Sequence, residues 1–209
     1  MNRIQHLVMD DDTPVDGFLS EKQMRLLAGA LFTSWDGPGG GRPFLVSANV
    51  GLFNSPSEPP LVPDVMLSLD VRLGDLDQKA NRSYFIWIMG KPPEVAIEIV
   101  SNREGNETST KMHDYARFGV KYYVIFDPLL LLQPMPLRIF ELLQGSYVEM
   151  PGHWLPGVEL GLVLWKGQFE GMEETWLRWT GRDGNLIATG EERAERAEQQ
   201  AKYSTAEKT

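Results

Sequence analysis

Val95-Ala96-Ile97-Glu98-Ile99-Val100-Ser101 is an apolar, β-branched run with a single acid set inside it, opening just after Pro92-Pro93. A run with no polar alternation reads as a central strand buried on both faces. It fixes the middle of a sheet, and its neighbours then indicate what surrounds it. Leu61-Val62-Pro63-Asp64-Val65-Met66-Leu67 is a second apolar run with an acid at its edge, and Tyr122–Phe126 is a third, closed by Asp127-Pro128.

Helical spacing appears in two places. Met24, Leu27, Ala28, Leu31 and Phe32 recur at that spacing after Ser20 and Gln23, which read as a capping box, so a helix is expected to about Ser34. Glu107 to Phe118 has helical character and ends at Gly119, as a C′ glycine would end it. Further strands are expected at Phe44–Val50 and Val65–Val71, and Tyr84–Ile88 is apolar throughout. Leu137–Leu143 and Ser146–Met150 form a hairpin pattern around Gln144-Gly145. Leu160–Leu164 is a short apolar segment, and Trp176–Thr180 with Leu186-Ile187 suggests a last hairpin around Asp183-Gly184. The order helix, strands, helix, strands gives an α/β chain with a mixed sheet. Residues 1–19 read as a lead-in, 20–189 as the domain, and 190–209 as a Glu/Arg/Ala tail, helical or disordered, that the fold can lose.

Composition narrows the chemistry. The chain of 209 residues has no cysteine, which removes disulfides, thiolate ligands and a cysteine nucleophile. With 20 basic against 29 acidic residues the formal charge is −9, which counts against a broad nucleic-acid-binding surface. A metal cation offsets an acidic pocket locally, so a nuclease stays open. Asp10-Asp11-Asp12 stands where a secretory signal needs positive charge, and no apolar run approaches a membrane span; a cytoplasmic location is expected.

Asp64 and Glu98 lie at the edges of neighbouring strand-like runs, and Lys111 falls on the helix that follows. Two carboxylates and an ammonium in that relation can hold a divalent metal beside a phosphodiester. Hard cations take oxygen ligands, the metal activates water, and the ammonium steadies that water or the developing charge. The plainer reading is that strand-end acids cap turns and a helix lysine is solvated. Tyr115, at i+4 from Lys111, shares its helix face and is placed to bond a carboxylate or the phosphate; its plainer role is a core ring with a wet hydroxyl. Ser101 orders the turn after the strand, and Glu107 is a surface partner of Lys111 or an outer group of the site. Glu21 is another candidate carboxylate, with a solvated first-turn acid as its plainer reading. His6, His113 and His153 are scattered without an i, i+4 partner, against a zinc site, and Gly37–Gly41 lacks the lysine and hydroxyl of a phosphate-binding loop.

At these residues the sequence resembles the Uma-type family of restriction endonucleases, a branch of the PD-(D/E)XK nuclease superfamily. The resemblance rests on Leu61–Val65, on Lys91-Pro92-Pro93-Glu94 running into Val95–Ser101, and on Lys111–Pro128, with Leu177-Arg178-Trp179 to Gly184 and the charged tail at the end. It implies a restriction-endonuclease-like core with flanking helices. Asp64, Glu98 and Lys111 would be the catalytic residues, and Asp64, Glu98 and the main-chain carbonyl of Ile99 the ligands of Mg2+ or Mn2+. DNA is the implied substrate, and a homodimer is compatible with it. The superfamily lysine usually lies two residues after the second acid, where this chain has Val100, so Lys111 stands in from the helix. Glu107 replaces an aspartate common in relatives, and Glu104 a hydroxyl residue. The rival function is a non-cleaving interaction module on a nuclease scaffold.

Overall fold

The computed structural model describes residues 17–101 and 110–206, with side chains described through residue 203. The chain begins with α1 (Gly17–Ser34), followed by β1 (Phe44–Ala48), β2 (Leu52–Phe53) and β3 (Val65–Leu69). Next come β4 (Tyr84–Phe85), the short α2 (Ile86–Met89), β5 (Val95–Ile99), α3 (Thr110–Phe118) and β6 (Tyr122–Phe126). β7 (Leu137–Leu143), β8 (Ser146–Glu149), β9 (Trp154–Leu155), β10 (Leu160–Phe169), β11 (Met172–Thr180) and α4 (Gly190–Ala206) complete it. No helix among the described residues is long and apolar enough to cross a membrane.

Six strands form one mixed sheet in the order β1-β3-β5-β6-β7-β8. Only β5 and β6 run parallel, joined through α3; the other neighbours are antiparallel. Every residue of β3, β5 and β6 is buried, which is why the β5 run shows no polar alternation. Alternate residues still face opposite ways. Val65, Leu67, Val95, Ile97, Ile99, Tyr122 and Val124 pack in one core with Met24, Leu27 and Leu31 of α1 and with Leu162, Leu177 and Trp179 of the second sheet. Met66, Ala96, Val100, Tyr123 and Ile125 pack on the other face with Tyr115 and Phe118 of α3. The fold is thus a mixed α/β core, with a helix and a small sheet on one side and α3 on the other.

Several sequence expectations are corrected here. α1 starts at Gly17, so Ser20 lies inside the helix, where it is buried. Gln23 caps nothing on the helix; its side-chain amide donates to the Leu177 carbonyl at 2.8 Å and accepts from the Leu177 N–H at 2.9 Å. Tyr84–Ile88 gives only two strand residues before turning helical at Ile86. Leu160–Leu164 is the first half of a ten-residue strand, β10, paired along its length with β11. The turn joining them is Glu170-Gly171, both at positive φ (44° and 78°), the same left-handed pair that Gln144-Gly145 (50° and 83°) supplies between β7 and β8. The expected hairpin around Asp183-Gly184 reduces to one bridge, Thr180 to Leu186, with the Ile187 N–H on the Trp179 carbonyl at 2.9 Å.

The tail is helical through α4, and its first turn reaches the core. Arg178 of β11 is 2% exposed, and its guanidinium donates to both carboxylate oxygens of Glu192 at 2.7 and 2.6 Å. Glu192 also accepts the Thr189 N–H at 2.8 Å, while the Thr189 hydroxyl accepts the Glu192 N–H at 3.2 Å, a reciprocal capping pair. The Arg178 hydrogen bonds hold the Glu192 carboxyl below its ordinary range against the opposing effect of desolvation. A depressed folded-state value stabilises the fold above the unfolded-state value, and that contribution is lost as pH falls through the folded one. In acid titrations below about pH 5, wild type should therefore lose more stability than Glu192→Gln. Parallel loss in the two chains would contradict this.

Candidate active site

Antiparallel pairing of β3 with β5 sets Val65 opposite Ile97 and Met66 opposite Ala96. Continuing that register by one residue sets Asp64 opposite Glu98. Met66 and Ala96 face α3, and so, by the period of two, do Asp64 and Glu98. The Asp64 carboxylate accepts the Ile99 N–H at 2.6 Å, which anchors it beside the residue that carries the second acid. This bond uses the amide of Ile99, the residue whose main-chain carbonyl the resemblance names as a metal ligand.

Glu98 is only 2% exposed, so its charge needs partners within the protein. α3 supplies two, one turn apart on a single face. Lys111 Nζ lies 2.8 Å from Oε2, and the Tyr115 hydroxyl donates to Oε1 at 2.6 Å. The two donors differ in surroundings. The Lys111 side chain is 37% exposed and reaches solvent, whereas Tyr115 is fully enclosed. Burial, then the negative charge of Glu98, pushes the Tyr115 hydroxyl well above its ordinary value, so it remains a neutral donor.

The other candidates fall elsewhere. Ser101 lies two residues beyond the end of β5 and is half-buried. Glu104 and Glu107 lie outside the described residues. Glu21 does not join the group: α1 packs on the opposite face of the sheet, and Glu21 pairs with Arg25 at 3.1 Å. Arg117, two turns along α3, is held by Glu58 and by Asp114 at 3.3 Å.

Sequence reasoning missed the support beneath Tyr115. Its ring lies 5.0 Å from that of Tyr123, which is 5.6 Å from that of Tyr147. The Tyr147 hydroxyl donates to the Val120 carbonyl at 2.7 Å, closing the stack onto the chain just after α3. The signal was present in Tyr122-Tyr123, since adjacent strand residues send one ring to each face. Asp127 was likewise read only as part of a strand end. It is fully buried, and its carboxylate accepts the N–H groups of Leu131 and Leu132 at 2.8 Å and of Gln133 at 3.2 Å. It thereby shapes the loop after β6, at the sheet end that carries Glu98 and Ile99.

Among the described residues, no group of three or more His, Cys, Asp or Glu side chains is placed to hold a metal ion. Asp64 and Glu98 are the two carboxylates that the strand register brings to this end of the sheet. Comparison with known proteins gives one family model, Uma2, described as "Putative restriction endonuclease", which matches residues 10–162. No curated protein matches the chain. The matched span takes in every strand of the six-stranded sheet and both helices, α1 and α3, that pack on its faces, and the chain accordingly belongs to the Uma2 family.

Proposed function

We propose that this chain is a divalent-metal-dependent endonuclease that hydrolyses DNA phosphodiester bonds at Asp64, Glu98 and Lys111. The observation that carries the reading is the meeting of both acids on one sheet face, with an ammonium from α3 on the inner one. The donor set fits Mg2+ or Mn2+, because such ions take oxygen ligands and Mg2+ keeps several waters beside one or two carboxylates. When bound, the cation supplies an activated water and charge neutralisation at the phosphate.

The chain's own groups then divide the work. Asp64, tethered to the Ile99 N–H, supplies a carboxylate held to the strand end. Glu98 supplies the buried second charge, which Tyr115 and Lys111 stabilise inside the protein. Lys111, half-exposed on the outer side of that pair, is the group able to turn its ammonium towards an incoming phosphate.

The acidic balance favours a second reading, a non-cleaving interaction module on the same scaffold. Plasmid nicking in Mg2+ or Mn2+, with a chelator control, separates the two. The nuclease reading expects cleavage that stops on chelation. It also expects Asp64→Asn to weaken Mn2+ binding by more than about a hundredfold, because outer partners alone are worth ten- to a hundredfold. A wild-type chain that neither binds Mn2+ nor nicks DNA sinks this reading and leaves the interaction module.

A further inference from the structure

We infer that the Tyr115 hydroxyl is a positioning group for Glu98, fixing the orientation of that carboxylate and so setting the affinity of the site for a divalent cation. The inference rests on the metal-dependent reading above and deepens it.

The terminal torsion of a glutamate is broad, so a lone Glu98 carboxylate would sample many orientations on the sheet face. Here each oxygen has its own donor, Tyr115 on Oε1 at 2.6 Å and Lys111 on Oε2 at 2.8 Å. Only one of these constraints is permanent. A lysine that serves a phosphate must share its ammonium between substrate and Glu98, and its partial exposure permits that movement. Tyr115 has no surface through which to meet substrate, so whatever it does for the reaction it does through Glu98.

Its placement is equally constrained. The ring is seated against Tyr123, and Tyr123 lies against the Tyr147 ring, contacts that a phenylalanine at 147 keeps. The Val120 N–H donates to the Tyr115 carbonyl at 3.1 Å. A phenylalanine at 115 would fill the same space in this core. A hydroxyl buried there without an acceptor would be costly, and its acceptor is the buried acid. The stack thus aims one donor at one carboxylate oxygen, independently of what Lys111 is doing.

The test is Tyr115→Phe, with Tyr147→Phe as a control that removes a hydroxyl from the same stack but not from Glu98. Tyr115→Phe should fold, with a metal-free unfolding midpoint a few degrees below that of wild type, because buried Glu98 loses one donor and keeps Lys111. Its Mn2+ dissociation constant, measured by calorimetry, should rise about tenfold. DNA cleavage at saturating Mn2+ should return towards the wild-type rate, and Tyr147→Phe should keep wild-type Mn2+ affinity. Unchanged Mn2+ affinity in Tyr115→Phe, an equal loss in both variants, or failure of Tyr115→Phe to fold would each overturn the assignment. A wild-type chain that binds no Mn2+ would instead remove the metal-dependent reading, and this inference with it.

Discussion

Lys111→Ala is expected to leave a folded chain whose Mg2+-dependent DNA cleavage falls by about two to three orders of magnitude, the usual loss when one preorganised electrostatic group is removed from a reacting centre. The fold should tolerate the change because Glu98 keeps the Tyr115 hydroxyl, and because the lysine side chain is already 37% exposed, which limits what its ion pair adds to stability. Metal affinity and cleavage should therefore part company. Mn2+ binding should change far less than the rate, in contrast to Asp64→Asn, where binding itself is lost. Lys111→Arg is not a neutral substitute, since a planar fork replaces a compact ammonium. Cleavage at the wild-type rate by a purified, folded Lys111→Ala chain would exclude the lysine from the chemistry. Equal residual cleavage in wild type, Lys111→Ala and Asp64→Asn would identify a contaminating nuclease.

Deleting residues 190–209 is expected to destabilise the chain by about 2–4 kcal/mol, the scale for removing one partner of a largely buried, hydrogen-bonded ion pair. Arg178 would keep its bond to the Ile187 carbonyl at 3.0 Å and its position over the Trp165 ring at 4.7 Å, but would lose both bonds to Glu192. For a chain of this length that corresponds to a fall in Tm of roughly 5–15 °C. Glu192→Ala in the full chain should reproduce most of the loss, because the rest of α4 is mainly exposed. A truncated chain with wild-type stability would show that water replaces Glu192 without cost, and that the tail is dispensable after all.

The sequence made the centre of the sheet legible because its strands are buried on both faces, so composition alone marked Val95–Ile99 and Tyr122–Phe126. Gln144-Gly145 marked one hairpin through its demand for positive φ. Glu170-Gly171 makes the same demand and went unread, because β10 and β11 carry exposed polar residues such as Lys166, Glu173 and Glu174 towards that turn. The geometry at Asp64 and Glu98 was legible only as proximity. Which atoms meet depends on strand register and on the side of the sheet that α3 occupies, and neither is written in a local pattern. Glu21 illustrates the limit, since sequence placed it on a helix but could not say which face that helix covers. Gln23 had a local explanation, as part of a cap, and its actual partner lies on the last long strand.

That partner carries a kinetic consequence. The outer edge of β11 is completed by the Gln23 amide at Leu177 and by Ile187 at Trp179. Gln23 and Leu177 are 154 positions apart, so the contact closes one of the longest loops available to the chain. During synthesis α1 emerges first and waits without its strand, while β11, once made, offers an open row of backbone donors and acceptors until α1 docks. A high-contact-order closure of this kind slows folding and places the risk of strand-to-strand misassociation in its final stage.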